Sequence, residues 1–149
     1  MMVALRKEGV SSMSDELRLR IGFLGAGRMA TALARGWLNA GLARPEALRA
    51  ADPVAAAREA FLLATGCAAI SDNRQVVANS DILILAVKPQ SMTELMAEIK
   101  PILGSQLVVS IAAGITLRQL RAGLRSDCRL IRVMPNTPCL VGASASAYS

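Results

Sequence analysis

The fold of this chain is decided by the stretch Ile21-Gly22-Phe23-Leu24-Gly25-Ala26-Gly27-Arg28-Met29-Ala30. An apolar run with β-branched and aromatic residues, typical of a strand, breaks into glycines and continues as a segment that favours a helix. A helix that begins directly after such a turn presents unpaired N–H groups and the positive end of its dipole. The stretch therefore predicts a binding site for a diphosphate group.

The small residues of this turn have separate predicted roles. Gly25 permits the tight turn, and Gly27 lets the backbone approach a pyrophosphate. Ala30 stands where a small residue keeps the helix close to the sheet. The other residues of the predicted phosphate-binding turn are Ala26, Arg28 and Met29. Gly and Ala are common in this chain, so the pattern gains its weight from the strand that precedes it.

Short apolar runs and helical segments alternate along the rest of the chain. Helices are predicted over 29–40, 54–65, 73–79, 91–99 and 116–124, and further strands over 47–51, 67–70, 82–87, 107–111 and 130–134. The run 82–87 is apolar throughout, which indicates burial on both faces, as in a parallel sheet. This order predicts an α/β fold with a Rossmann-like, doubly wound, mainly parallel sheet and helices on both faces.

Composition limits the classes of function. The chain has 149 residues, of which 53% are hydrophobic, and a net charge of +6. This suits one domain with an ample core, expected over 20–149, after a disordered N-terminal extension over 1–19. The basic residues are dispersed and 3% of residues are aromatic, which argues against a nucleic-acid partner. No apolar stretch is long enough to span a bilayer, so no membrane partner is expected.

The reactive residue types point to a cofactor rather than to a side-chain nucleophile. The chain contains no histidine, which excludes imidazole chemistry and histidine metal sites. Cys67, Cys128 and Cys139 lack metal-binding spacing and are expected to be free thiols in a reducing, cytoplasmic compartment. Since no catalytic triad or carboxylate pair is apparent, catalytic residues stay unassigned and a cofactor is expected to carry any reaction.

Asp52 ends the predicted second strand, at the edge where such sheets bind ligands. One interpretation is that Asp52 binds the ribose hydroxyls of a dinucleotide and repels a 2′-phosphate, which favours NAD. The other is that Asp52 and Pro53 only begin a helix. Arg49 and Arg58 flank Asp52 and are alternative ligands for a 2′-phosphate. The preference between NAD and NADP therefore stays open.

Two more polar residues follow predicted strands at this edge. Lys88, placed before Pro89, is predicted either to contact the cofactor or to be a solvated residue before a restricted turn. Asn73 is predicted either to touch the adenosine half of a dinucleotide or only to begin a helix, which Ser71 or Asp72 would cap.

Two prolines bracket Asn136 and Thr137 in the segment 134–138. The prolines fix the backbone, and the amide and hydroxyl can form hydrogen bonds near a bound ring. A rigid turn without a ligand is the alternative.

Four segments resemble, in order and in spacing, the pyrroline-5-carboxylate reductases of proline biosynthesis. They are 21–30, Ala-Val-Lys-Pro at 86–89, Ser-Ile-Ala-Ala-Gly at 110–114 and Val-Met-Pro-Asn-Thr-Pro at 133–138. The last segment, which runs on into 142–147, is the most specific, whereas the first is shared by many dehydrogenases.

The resemblance implies an enzyme that binds NADP or NAD in reduced form and transfers hydride to the C=N carbon of an imino acid, yielding L-proline. It places the turn at the pyrophosphate, Asn73 at the adenosine, and Asn136 with Thr137 near the nicotinamide and substrate. The other implied cofactor contacts are Ala86, Val87, Lys88, Pro89, Ala112 and Gly114. A related imine or β-hydroxyacid reductase, or a binding module without turnover, are the alternatives.

The chain departs from the family pattern in three respects. Arg28 stands where the family often has Asn or Gln, and Asp52 stands where it often has Ser, Asn or Arg. The second difference weighs against a strict preference for NADP. Members of the family also continue into a helical domain that forms homo-oligomers and supplies much of the substrate pocket. Nothing in this chain corresponds to that domain, so it is expected to represent the cofactor half and to be inactive alone.

Overall fold

A seven-stranded sheet lies at the centre of the computed structural model, which describes residues 19–135 and 147–148. The strands are β1 (Ile21–Leu24), β2 (Leu48–Ala51), β3 (Ala68–Ile70), β4 (Ile82–Leu85), β5 (Leu107–Ser110), β6 (Arg129–Met134) and β7 (Ala147–Tyr148). Their spatial order is β3-β2-β1-β4-β5-β6-β7. The first six strands are parallel, and β7 pairs antiparallel with β6. The predicted doubly wound, mainly parallel sheet is confirmed.

Helices connect the parallel strands. In the described part of the chain they are α1 (Arg28–Asn39), α2 (Ala55–Thr65), α3 (Asn73–Ala78), α4 (Met92–Ile99) and α5 (Leu117–Gly123). Short 3₁₀ turns cover Pro45–Ala47, Pro89–Ser91 and Lys100–Ile102. The strand order runs from β1 to β3 on one side and from β4 onward on the other. Because the right-handed crossovers therefore proceed in opposite directions from β1, helices lie on both faces of the sheet.

The two faces of the sheet bury different kinds of side chain. Under α1 and α2, the ring of Phe23 stacks on Trp37 at a centroid distance of 5.6 Å and meets Phe61 at 5.9 Å. Trp37 is thus a packing residue. Under α3, α4 and α5, the fully buried residues are Met92 and aliphatic residues, among them Leu85 and Leu120. Burial of each such side chain contributes about 1.5–3 kcal/mol to stability.

Element boundaries differ from the predicted ones by a few residues, and two of the differences lie near 3₁₀ turns that begin with a proline. β4 ends at Leu85 rather than at 87, and the chain enters a turn at Pro89. Ala47 lies in a 3₁₀ turn rather than in β2, because Pro45 begins that turn. The sheet is therefore slightly shorter at both places than the apolar runs indicate.

Some predicted features fall outside the described residues. These are residues 1–18 of the predicted extension over 1–19, the site residues Asn136 and Thr137, and Cys139. Within the described ranges, every helix is too short or too polar to cross a bilayer.

Candidate functional site

The carboxyl ends of the central strands form one continuous edge. Leu24 at the end of β1 is in register with Ala51 on one side and Leu85 on the other. The backbone pairing continues past the strand ends, since Gly25 N–H donates to the Ala51 carbonyl at 2.8 Å and Ala86 N–H donates to the Leu24 carbonyl at 2.8 Å. The glycine turn therefore lies directly between the ends of β2 and β4.

Gly25 fits this position because it has no side chain. Its φ is +105°, in the region that favours glycine. A Cβ at Gly25 would lie 2.8 Å from the carbonyl carbon and oxygen of Ala86 and 2.9 Å from the nitrogen of Val87. The close approach of the turn to the end of β4 thus requires glycine for two separate reasons.

The N-terminus of α1 is open above this turn. Gly27 is the N-cap residue, and no side chain caps the helix there. A Cβ built on Gly27 would meet no other atom within 4 Å, so the space beside it is free among the described residues. The first-turn N–H groups have no intrahelical acceptors. Ala30 is buried against the sheet, whereas Arg28 is exposed and Met29 is half-buried.

Asp52 binds the glycine turn rather than pointing away from the protein. Its Oδ2 accepts a hydrogen bond from Ala26 N–H at 2.9 Å, and its Oδ1 accepts one from Val54 N–H at 2.9 Å. The N-cap of α2 is Val54, so Asp52 lies two residues before the N-cap. From α2, Arg58 Nη1 donates to the carbonyl oxygens of Asp52 at 2.8 Å and of Pro53 at 3.0 Å.

Asn73 begins α3 next to the end of β3. Its Nδ2 donates to Oε2 of Glu98 on α4 at 2.9 Å. The cap of α3 is Asp72, whose Oδ1 accepts from Arg74 N–H at 2.9 Å. Glu98 was not among the predicted site residues. It is 25 positions from Asn73 in sequence, and only the packing of α4 on α3 brings the two side chains together.

The other predicted contacts are spread along the same edge. After β4, Ala86 and Val87 are half-buried, whereas Lys88 is exposed before Pro89. The two predicted contacts that follow β5 are Ala112, which is buried, and Gly114, which is exposed. In the ranges that the structure describes, no cluster of three metal-ligating side chains occurs.

The two thiols of the described chain are unsuited to nucleophilic chemistry. Burial raises the pKa of the Cys67 thiol, and burial followed by the charge of Asp127 raises the pKa of Cys128. Both are free cysteines. Because the thiolate is the reactive form, raised pKa values favour unreactive, packing cysteines.

Comparison with known proteins matches most of this chain to a family of oxidoreductases. Residues 20–114 match the family described as NADP oxidoreductase coenzyme F420-dependent. A pyrroline-5-carboxylate reductase of Glycine max is 40% identical over 130 residues, which cover 87% of this chain and 47% of that protein. The chain thus spans about half the length of this curated relative.

Solved structures of similar proteins share the fold. A pyrroline-5-carboxylate reductase from Coxiella burnetii superposes with a TM-score of 0.84 at 32% identity, covering 88% of this chain and 49% of that one. The Plasmodium falciparum pyrroline carboxylate reductase with NADP bound has a TM-score of 0.78 at 34% identity, covering 88% and 47%. The chain belongs to the NADP oxidoreductase coenzyme F420-dependent family, and its similarity to pyrroline-5-carboxylate reductases extends over about half of their length.

Proposed function

We propose that this chain binds NADPH or NADH and forms the dinucleotide-binding part of an enzyme that reduces 1-pyrroline-5-carboxylate to L-proline. The observation that carries the proposal is the open N-terminus of α1, directly after the glycine turn and between the ends of β2 and β4. The NADP bound by the Plasmodium falciparum relative supports the choice of ligand. Residues 20–149 act in this proposal as one cofactor-binding domain.

The residues present fit a dinucleotide. Gly27 leaves room for a diphosphate at the helix N-terminus, since a Cβ there would meet no atom within 4 Å. Unpaired N–H groups and the helix dipole attract such an anion. In this proposal Arg28 adds a cationic contact to the diphosphate. Asn73 contacts the adenosine half, and Lys88 contacts the dinucleotide farther along its length. The other proposed contacts are Gly25, Ala26, Met29, Ala30, Asp52, Ala86, Val87, Pro89, Ala112 and Gly114.

The chemistry needs orientation more than acid–base side chains. A bound reduced dinucleotide would supply hydride to the carbon of the imine, and the nitrogen, protonated from solvent, would become the N–H of the product. The chain holds the two reactants in register, which is the contribution that proximity makes to such a reaction. Asn136 and Thr137 are proposed to form hydrogen bonds near the nicotinamide and the substrate.

The substrate pocket and the assembly extend beyond this chain in the proposal. The relatives are about twice as long as the matched region, so their other half is proposed to complete the imino-acid pocket and to form the homo-oligomer. We place the enzyme in the cytoplasm, in proline biosynthesis. Nucleic acids and membranes are not proposed as partners.

A dinucleotide-binding module without turnover of its own is the second candidate. It is favoured by the coverage of only 47% of the Glycine max relative. The two candidates differ in activity and agree in cofactor binding, so one assay separates them.

The test measures NADPH and NADH binding by fluorescence titration and their oxidation with pyrroline-5-carboxylate. The 149-residue chain is compared with a form extended by the second half of a relative. Binding by both forms and oxidation by the extended form alone is expected. Binding without oxidation in either form favours the module, and the absence of binding overturns both candidates.

A matched pair of variants ties binding to the helix N-terminus. Gly27→Asp places a carboxylate in the open space and is expected to weaken both dinucleotides at least about tenfold by repelling the diphosphate. The fold is expected to survive, because aspartate is a favourable N-cap. Gly36→Asp, on the same helix in equally open space, is the control and should bind as the parent does. Equal affinities for both variants contradict the proposed site.

A further inference from the structure

The carboxylate of Asp52 joins two loops through one oxygen each. Oδ2 accepts from Ala26 N–H at 2.9 Å in the glycine turn, and Oδ1 accepts from Val54 N–H at 2.9 Å before α2. Ala26 lies 26 positions before Asp52 in the sequence, whereas Val54 lies two positions after it. Hydrogen bonds to an ionised acceptor are stronger than those between neutral groups.

The backbone around Asp52 is itself fixed on both sides. Asp52 N–H donates to the Ile70 carbonyl at 3.0 Å, which extends the pairing of β2 with β3. Arg58 Nη1 holds the carbonyls of Asp52 and Pro53 from α2. Asp52 therefore lies on a backbone segment that is held on both sides, and it is half-buried. Its hydrogen bond to Ala26 N–H can thus hold the glycine turn in a defined position.

This bond decides which N–H groups of the turn remain available. Gly25 N–H is used by the Ala51 carbonyl, and Ala26 N–H is used by Asp52. The N–H groups that face a ligand thus begin at Gly27. Because the two preceding groups are held internally, the direction in which the first turn of α1 presents its donors depends on Asp52.

We propose that Asp52 is a positioning residue for the glycine turn, whose carboxylate orients the diphosphate-binding N–H groups. It then affects every ligand that carries the diphosphate, with or without a 2′-phosphate. This inference rests on the proposed dinucleotide-binding function. It differs from a role in which Asp52 only distinguishes NADH from NADPH at the ribose.

The test uses Asp52→Asn in the full 149-residue chain. The amide keeps one acceptor oxygen and loses the negative charge. The bond to Ala26 N–H is therefore either lost or weakened to a hydrogen bond between neutral groups, depending on which way the amide is turned. The dissociation constants for NADH, NADPH and ADP are expected to rise together by about tenfold, the loss typical of one hydrogen bond to a charged group. Amide hydrogen exchange at Ala26 is expected to accelerate in the ligand-free protein.

Asp81→Asn is the matched control. Asp81 also accepts a backbone N–H, that of Arg20 at 2.8 Å, but it precedes β4 at the opposite edge of the sheet. This variant is expected to keep the parental affinities and the parental exchange rate at Ala26. Asp52→Ser, whose hydroxyl can accept one N–H group, is expected to resemble Asp52→Asn.

The outcomes separate the alternatives. A gain for NADPH without a common loss for NADH and ADP overturns the proposal in favour of ribose discrimination. Unchanged affinities together with a lower unfolding midpoint also overturn it and leave only a structural role. Failure of the parent chain to bind any of the three ligands overturns the dinucleotide proposal itself, while the exchange rate at Ala26 still reports whether Asp52 holds the turn.

Discussion

At the scale of single residues, Gly25 combines two constraints that are usually separate. Its φ of +105° disfavours any L side chain, and the space that a Cβ would need is occupied by the backbone of Ala86 and Val87. Since that backbone belongs to the end of β4, a substitution strains the contact between β1 and β4 as well as the turn. The geometry of the turn therefore depends on the absence of a side chain at Gly25.

Gly25→Ala is expected to destabilise the fold by about 2–5 kcal/mol, from backbone strain together with overpacking. The measurement is urea unfolding followed by circular dichroism. Gly41→Ala is the control, because Gly41 also has a positive φ, of +69°, but open space around it. It is expected to cost about 1–2 kcal/mol, the conformational part alone. Equal losses for the two variants contradict the packing constraint at Gly25.

At the scale of elements, the N-termini of the helices are completed in different ways. α5 carries a capping box, in which Gln119 N–H donates to Thr116 Oγ1 at 3.2 Å and Thr116 N–H donates to Gln119 Oε1 at 2.8 Å. α3 is capped by Asp72. α1, α2 and α4 have no side-chain cap. Among these three, α1 is the candidate binding helix because it follows the glycine turn between the ends of β2 and β4.

Thr116→Ala is expected to lower the free energy of unfolding by about 1 kcal/mol, because the N-terminus of α5 loses its cap. The measurement is the shift of the urea midpoint relative to the parent. Thr93→Ala lies at an exposed position in the first turn of α4, where no side chain caps the helix. It tests the same chemical change at a threonine that caps nothing and is expected to be within about 0.5 kcal/mol of the parent. A cost at Thr93 equal to that at Thr116 excludes capping as the cause.

At the scale of the whole molecule, an ion pair joins segments that are distant in sequence. Arg20 donates to Asp81 through its backbone N–H, Nε and Nη2, at 2.8, 3.2 and 3.1 Å. The hydrogen bonds from the Arg20 side chain and backbone lower the pKa of Asp81. The pair closes the amino edge between β1 and β4, while the carboxyl edge of the same strands stays open for a ligand.

The stabilisation from Asp81 is expected to depend on pH. A carboxyl whose pKa is lower in the folded state stabilises the fold above its unfolded pKa, and this contribution disappears as the pH falls through the folded pKa. Asp81→Asn should therefore be less stable than the parent near neutral pH, and the difference should shrink toward acid. Urea midpoints at about pH 7 and about pH 2.5 measure this change.

A second carboxylate provides the comparison for Asp81. Glu59 is exposed on α2 and forms no ion pair among the described residues. Glu59→Gln is expected to differ from the parent by the same small amount at both pH values. A difference for Asp81→Asn that does not change with pH contradicts the assigned role of the Arg20 pair.

Sequence patterns alone predict the order of the elements and the class of the fold. The periods of the apolar residues distinguish strands from helices, and the glycines after Leu24 mark the turn between β1 and α1. Because parallel strands joined by helices have few allowed topologies, the doubly wound sheet follows from the alternation. Strand ends near Pro45 and Pro89 were less predictable, since hydrogen bonding to neighbouring strands sets them.

The tertiary structure alone decided what the side chains at the edge contact. The sequence left Asp52 with two interpretations, a ribose contact and a helix start. The fold adds a third, because it brings Ala26 N–H to the Asp52 carboxylate. It likewise brought Glu98 to Asn73. These contacts join residues 26 and 25 positions apart, and no local pattern encodes them. Periodicity reports which face of an element is buried, whereas the partner of a polar group depends on how separate elements pack.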